Sequence, residues 1–342
     1  MPDMKNQYEI EVIEHPYINN INVFLVNLDY RTPHLHDDIE VILVLDGQVN
    51  MRIRNQEYLL KPGSCVLFNS LQPHDFHSEQ GGTLILCLQV SPKFCSAYFP
   101  AISSLQFDEH NINRDLDEES REYFKNLFLE IAYRYYRKEF GYEFSCISLV
   151  NQLFWFLLQT IPSHILTEEE RKATIQKAER LNRILNFIDE NYMNKILLTD
   201  IAERENLSMT YLSHFFKDNL NQTFQEYLMN LRFSHARDMV MENRLKLIDI
   251  CLECGFSDYR YLYQAFLKNY GCTPREYQKL HHQTAATKKY RSPQSSETFY
   301  TIENAMAILE EIYKNDLAGE NFLETGQIRF FRRPDNPAFS GK

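Results

Sequence analysis

His34, His36 and Glu40 stand at even intervals in an extended run of the chain, so all three side chains leave the same side of a strand. Two imidazoles and a carboxylate on one side can ligate a transition metal or, without metal, hydrogen-bond a small polar molecule. A second group carries different chemistry. On one predicted helix Thr210, Ser213, His214 and Lys217 face outward; on another, Tyr259, Arg260, Tyr263, Gln264 and Lys268 do. Both faces are hydrogen-bonding and lightly basic, with no carboxylate before Asp218 at the first helix's end. Such faces suit base edges in a DNA major groove.

The elements that must position these groups differ in period. Residues 20–90 read as strands: 23–26, 39–45, 65–68 and 83–90, with Val49, Met51 and Ile53 alternating against Asn50, Arg52 and Arg54. Asp46-Gly47, Pro62-Gly63 and Gly81-Gly82 separate them as turns, which predicts a β-barrel or sandwich. From about 117 the apolar spacing becomes helical: Tyr123, Leu127, Ile131 and Tyr135, then Leu149, Leu153, Phe156 and Leu157, then a helix near 171–192.

Residues 198–227 and 247–277 repeat one another. With one extra residue after Ser257, Leu198/Leu247, Ile201/Ile250, Tyr211/Tyr261, Leu212/Leu262, Phe216/Phe266, Thr223/Thr273, Glu226/Glu276 and Tyr227/Tyr277 fall into register, among eleven identities in all. In each copy a first helix ends at a residue that tolerates the left-handed conformation, Asn206 or Gly255. Leu207 or Phe256 plugs the corner, and Ser208 or Ser257 is placed to cap the next helix. That is helix-turn-helix chemistry. A pair of ordinary core helices would not repeat its caps and outer faces in register.

The run Ile201-Ala202, Ser208, Tyr211-Leu212-Ser213-His214, Phe216-Lys217, Thr223-Phe224, Tyr227-Leu228, Arg232, Ala236 closely resembles the AraC/XylS family of bacterial transcription regulators. Its continuation Ile250, Cys254-Gly255-Phe256, Asp258, Tyr261, Phe266, Gly271, Thr273-Pro274, Tyr277 does too, so the likeness covers about 179–280. The resemblance implies two helix-turn-helix units bridged by a helix at about 224–241 and entering successive major-groove segments. It implies base readers Met209, Thr210, Ser213 and His214, then Tyr259, Arg260, Tyr263 and Gln264, with Lys217 and Lys268 on phosphates. Asn221 stands where the family usually has Gly; Gln264 and Leu267 stand where it usually has basic residues. Cys251 and Cys254 read as small buried hydrophobes, because Cys251 aligns with the helical Ala202.

His34-x-His36-x3-Glu40-x6-Gly47, then Pro62-Gly63 and Pro73-His74, resembles the cupin motif pair. It implies that His34, His36, Glu40 and His74 converge inside a small barrel. Such a set would hold Fe, Mn, Ni or Zn with open positions, or line a metal-free effector pocket. A barrel filled by its own side chains is the third possibility, and no cofactor is required for the regulatory reading. An apolar stripe of Phe154, Trp155, Phe156 and Tyr135/Tyr136 offers either the dimer interface of resembling regulators or a surface packed on the barrel.

These readings predict an α+β multidomain chain. Its parts are a cupin-like β domain (1–112), a helical linker and dimerisation region (113–170), an all-α tandem helix-turn-helix domain (171–281) and a tail (282–342). The tail combines a polar linker with a short amphipathic helix of unknown role. Lys288-Lys289-x-Arg291 and Arg329-x-x-Arg332-Arg333 in it read as solvated charge or as phosphate contacts. The expected function is a sequence-specific, non-enzymatic regulator, an activator rather than a repressor. It would act as a homodimer on double-stranded promoter DNA, with RNA polymerase as partner by resemblance. Its barrel would sense a small molecule such as a sugar. The rival is a cupin-type metalloenzyme, a dioxygenase or isomerase, with a helical appendage.

Bulk properties set the outer bounds. The 342 residues are 44% hydrophobic and 24% charged, ordinary globular values. The net charge of −11 is concentrated before residue 117, where 7 Lys/Arg face 15 Asp/Glu; segment 199–280 carries 10 against 11. Seven scattered Cys suggest no disulfide framework. The polar, acidic start shows no signal peptide, and the apolar run 149–161 is too short to span a bilayer. The expected setting is the bacterial cytoplasm, associated with the nucleoid when bound and not with a membrane.

Overall fold

Seven strands follow one another at the N-terminal end: β1 (Ile21–His34), β2 (Ile39–Asp46), β3 (Val49–Ile53), β4 (Gln56–Leu60), β5 (Cys65–Phe68), β6 (His74–His77) and β7 (Thr83–Val90). The coordinates are a computed structural model, which describes residues 11, 13–53, 56–78, 82–108, 110–281, 290–292 and 295–316. Strands β4 and β6 were not among the expected runs: QEYLL and HDFH lack the apolar alternation that marks a strand locally. Cross-strand pairing supplies what the local pattern lacks, since β6 lies between β1 and β3.

All pairings in the sheet are antiparallel, in the order β4-β3-β6-β1-β7-β2-β5, and the sheet curls into a half-barrel. Its concave face buries Val26, Leu28, Ile42, Met51, Phe68 and Ile85. Its convex face, with Val23, Leu25, Val41, Leu43 and Leu88, shares one core with the helices that follow. Those are reached through β8 (Leu105–Phe107) and α1 (Ile112–Asp115); they are α2 (Glu118–Arg137) and α3 (Tyr142–Thr160). Of the expected apolar stripe, Tyr135, Tyr136, Phe154 and Phe156 are buried in this core, and the Tyr136 hydroxyl accepts a hydrogen bond from Leu25 N at 3.0 Å. Only Trp155, 54% exposed, stays on the surface. The stripe is therefore mainly the seat of the helices on the sheet, because burying a large aromatic there removes more apolar area from water than leaving it exposed.

After β9 (Ser163–Ile165), helix α4 (Glu168–Asn191) opens on a reciprocal Thr167/Glu170 capping box. The helical region continues with α5 (Leu198–Glu205), α6 (Met209–Leu220), α7 (Phe224–Glu242), α8 (Leu247–Glu253), α9 (Tyr259–Tyr270) and α10 (Pro274–His281). The chain then returns to the sheet through β10 (Tyr290–Ser292) and β11 (Ser295–Phe299), followed by α11 (Ile302–Asp316). The expected amphipathic helix is α11, and its Ala305 and Leu309 are buried in the convex-face core. Of the tail's basic clusters, Lys288, Lys289, Arg329, Arg332 and Arg333 lie outside the described residues.

Candidate DNA-reading and effector sites

The reader is built on two small cores joined by α7. Leu181, Ile184, Ile201, Leu212, Phe216 and Leu228 pack in the first; Ala236, Ile250, Leu262, Phe266 and Tyr277 pack in the second. The repeated Thr/Glu pairs are capping boxes. Thr223 N donates to Glu226 at 2.7 Å and Thr273 N to Glu276 at 2.7 Å, and each Glu backbone N–H is returned to its Thr hydroxyl. Asn206 and Asn221 sit in the left-handed region at φ +53° and +50°, so Asn221 makes the turn without the family's usual Gly. Gly255, at φ +73°, has no alternative: a Cβ there would lie 2.7 Å from Met193 O and 2.8 Å from Tyr192 O.

On α6, Met209, Thr210, Ser213, His214 and Lys217 are all exposed along one side. Ser208 caps that helix, accepting from Tyr211 N at 3.1 Å. On α9, Arg260, Tyr263, Gln264 and Lys268 are exposed, while Tyr259 is half-buried against the second core. The α9 cap is Asp258, not the expected Ser257; its carboxylate accepts from Arg260 N at 2.7 Å. The residue inserted after Ser257 moves the cap one place on. The same carboxylate also holds the Arg260 guanidinium at 2.9 Å, folded back on its own helix start.

In the half-barrel, His34, His36, Glu40 and His74 bring ligand-type atoms within 4.8 Å of one another. Each imidazole is oriented by a backbone carbonyl: His34 Nδ1 lies 3.1 Å from Thr32 O, His36 Nδ1 3.0 Å from Asp38 O and His74 Nδ1 2.9 Å from Gln72 O. A carbonyl only accepts, so each Nδ1 carries the proton and Nε2 is the atom left for the centre of the cluster. His36 Nε2 meets Glu40 at 2.9 Å. His74 Nε2 lies 3.2 Å from the same carboxylate oxygen yet outside hydrogen-bond geometry, a buried nitrogen without a hydrogen-bond partner among the described residues.

Burial drives the His34 and His74 imidazoles toward the neutral form, helped at His34 by the Arg31 charge. Burial opposes the charge of Glu40 too, but the imidazoles of His36 and His74 hold its carboxyl well below the usual carboxylate range. Burial opposes the charge of His36 as well, but the Glu40 carboxylate holds its imidazole toward the charged form. Its Nε2 proton would have to leave before it joined neutral His34 and His74 and the ionised carboxylate as the donor set of a divalent transition metal. These residues fit such an ion. His34 and Glu40 also line a cavity of about 500 Å³, beside Arg31, Gln89 and Phe24.

A family model described as an AraC-like ligand binding domain matches residues 26–154, and one described as a helix-turn-helix domain matches residues 201–280. The chain belongs to the AraC family of transcription regulators. It is similar to the uncharacterized HTH-type transcriptional regulator YdeC of Bacillus subtilis, 24% identical over 286 residues, covering 81% of this chain and 97% of that protein. The melibiose operon regulatory protein of Escherichia coli is 22% identical over 288 residues, covering 77% and 90%. The HTH-type transcriptional activator RhaS of Escherichia fergusonii is 22% identical over 257 residues, covering 71% and 86%.

In this AraC-family chain the sensor is docked on the reader. Leu35 of the sensor is buried in the first reader core, with Leu71 packed against it. The Tyr30 ring lies under the Arg237 guanidinium of α7, 4.1 Å from its centroid. The Tyr30 hydroxyl accepts from Ser234 at 3.1 Å and from Arg237. Burial pushes that hydroxyl's pKa up to about 12, so it stays protonated. Tyr30 and Arg237 escaped sequence reading: a tyrosine in a strand and an arginine in a helix carry no local mark of a contact between distant segments. The docked sensor leaves Met209, Thr210, Ser213, His214 and Lys217 of α6 exposed.

No described helix is long and apolar enough to cross a membrane.

Proposed function

We propose that this regulator is a transcription activator that binds promoter DNA as a homodimer and responds to a small neutral sugar held in the half-barrel. In this reading residues 1–112 sense, 113–170 support dimerisation and 171–281 read DNA, while β11 and α11 of the segment 282–342 rejoin the sensor. The observation that carries it is the pair of exposed, carboxylate-poor helix faces on α6 and α9, fixed to a sensor that contains a cavity. Thr210, Ser213, His214, Arg260, Tyr263 and Gln264 would meet base edges, with Met209 and Tyr259 at the helix starts. Lys217 and Lys268 would meet phosphates, which position the protein without specifying sequence.

A sugar is favoured because carboxylates, amides and aromatic rings line the cavity, and a relative is named for the melibiose operon. Activation is favoured by the name of RhaS, and contact with RNA polymerase in the bacterial cytoplasm follows from that role. Trp155 and Tyr98, exposed beside an apolar groove of α3, suit the homodimer contact. Sugar binding would shift the population between states that differ in DNA affinity.

Fluorescence anisotropy with labelled DNA from upstream of the gene's own operon tests this. Expected are dissociation constants near ~10 nM, a steep salt dependence, and a change on adding one member of a panel of neutral mono- and disaccharides. Equal binding to unrelated DNA at moderate salt would falsify the reading.

A second reading concerns the histidine cluster. We propose that His34, His36, Glu40 and His74 hold a divalent transition metal, on the evidence of three Nδ1 atoms tied to carbonyls. The ion would supply a Lewis-acidic site for oxygen ligands beside the cavity. Elemental analysis after dialysis should find about one metal per chain, lost on His74→Ala and on chelation. A metal-free wild-type protein prepared with added zinc, iron, manganese and nickel would end this second reading.

A further inference from the structure

Neither family model reaches past residue 280, yet the segment beyond it is built into the sensor. Strand β11 pairs antiparallel with β1 from Val26↔Phe299 to Arg31↔Ser295. Because Val26–Leu28 also pair with β7 and Tyr30 with β6, β11 occupies the opposite edge of β1, which would otherwise be open. The strand is anchored at both ends: Tyr300 N donates to Leu25 O at 3.0 Å, and Ser296 Oγ donates to Asp29 at 2.8 Å. Helix α11 then seats Ala305 and Leu309 in the convex-face core.

The register decides what the strand contributes. Residues paired across a sheet share a face, and Val26 and Leu28 point into the concave side. Their partners Phe299 and Glu297 therefore point there too, and both border the 500 Å³ cavity. Glu297 is buried and accepts from Arg31 at 2.8 Å; Glu11 takes the other end of the same guanidinium. Phe299, 47% exposed, stands at the mouth with its ring 5.5 Å from that of Phe24.

The charge balance restricts the occupant. Glu11, Glu14, Glu40 and Glu297 outnumber Arg31 in the cavity wall, so an anionic ligand is repelled. A carboxylate offers about four acceptor positions, and Arg31 uses only part of those on Glu297. Hydroxyl donors of a neutral polyol match the remainder, and the C–H face of a pyranose matches an aromatic ring.

We propose that the strand downstream of the DNA reader is a wall of the effector site, with Glu297 accepting hydrogen bonds from saccharide hydroxyls and Phe299 covering the sugar's apolar face. This rests on the sugar reading above. The tail's role is then to make effector binding depend on a segment that has already passed through the reader. Bound sugar adds to the ties between residues 295–299 and β1, which in an empty site are the sheet edge, the Ser296–Asp29 bond and the Glu297–Arg31 pair.

The test uses the full chain and the saccharide from the neutral mono- and disaccharide panel that gives the largest thermal shift. Titration calorimetry compares wild type with Glu297→Gln, Phe299→Ala and the exposed control Glu310→Gln. Expected is a ten-fold or greater weakening for Glu297→Gln and about three-fold for Phe299→Ala, with Glu310→Gln unchanged. Phe299 is half exposed, so its variant should fold even if loss of the Arg31 pair unsettles Glu297→Gln. Wild-type affinity in Phe299→Ala, and in Glu297→Gln if it folds, overturns this inference and leaves the sugar reading standing. No response of the wild-type chain to any saccharide overturns both.

Discussion

The two helix-turn-helix units descend from one pattern but are held in place by different forces. The first has a core extended by Leu35 and Leu71 of the sensor, an apolar attachment that is insensitive to geometry at the level of single bonds. The second reaches the sensor through a polar chain. Tyr270 meets Arg237, which covers Tyr30, the neighbour of Arg31 in the cavity wall. Their reading faces differ as well. The first presents an open row ending in Lys217, whereas the second begins with a half-buried Tyr259 and an Arg260 held by its own capping Asp258. Duplication thus left two units of one shape with different outer faces, and the division expected from that difference is an anchor in the first and an adjustable contact in the second.

The turn positions offer the strongest way to separate the units. Gly255→Ala forces a Cβ onto two backbone carbonyls and should cost about 2–4 kcal/mol, enough to unfold much of the second unit. Asn206→Ala, at the matching corner of the first unit, meets only the left-handed penalty of about 1 kcal/mol. Urea denaturation followed by circular dichroism should rank them in that order; equal losses would mean that the corners are equivalent.

Arg237→Ala should come next. It removes the guanidinium above Tyr30 and leaves Ser234 as that hydroxyl's remaining donor, a loss of about 2 kcal/mol in sensor–reader docking. Leu71→Ala, on the side of the first unit, should lose about 1 kcal/mol, because Leu71 is only partly buried. Hydrogen exchange across α7 should then rise more in Arg237→Ala than in Leu71→Ala. The reverse order would place the main attachment at the first unit.

The finest division lies in DNA binding. Arg260→Ala should relax discrimination at one base pair by about 1–3 kcal/mol. Lys217→Ala should weaken all sequences alike and lower the salt slope by about 0.9. A competition series over single-base variants of the operator measures both, and identical specificity profiles for the two variants would erase the distinction between anchor and reader.

Much of this was readable before folding. The corners at Asn206 and Gly255, the Thr/Glu boxes and the helical periods are short-range features, fixed by the left-handed conformation and by hydrogen bonds spanning three or four residues. The even spacing of His34, His36 and Glu40 pointed to one strand, but His34 closes β1 and Glu40 lies on β2, so it is the turn between the strands that brings them together. What misled is equally local. Ser257 looked like a cap until the inserted Asp258 took the role, and QEYLL and HDFH gave no strand signal. Phe154, Phe156 and their neighbours formed an apolar stripe whose destination, sheet or second copy, depends on what packs there.

Residue order thus specified the helix-turn-helix units almost completely, because every contact that shapes their corners closes a loop of a few residues. Three other features needed the folded chain. These are the meeting of His74 with His34 and His36, the stacking of Arg237 on Tyr30 across 207 residues, and the pairing of Glu297 with Arg31 across 266. Each depends on loop closures whose entropy is repaid only when the whole sheet and both reader cores form, and no local pattern records which distant edge a strand will join.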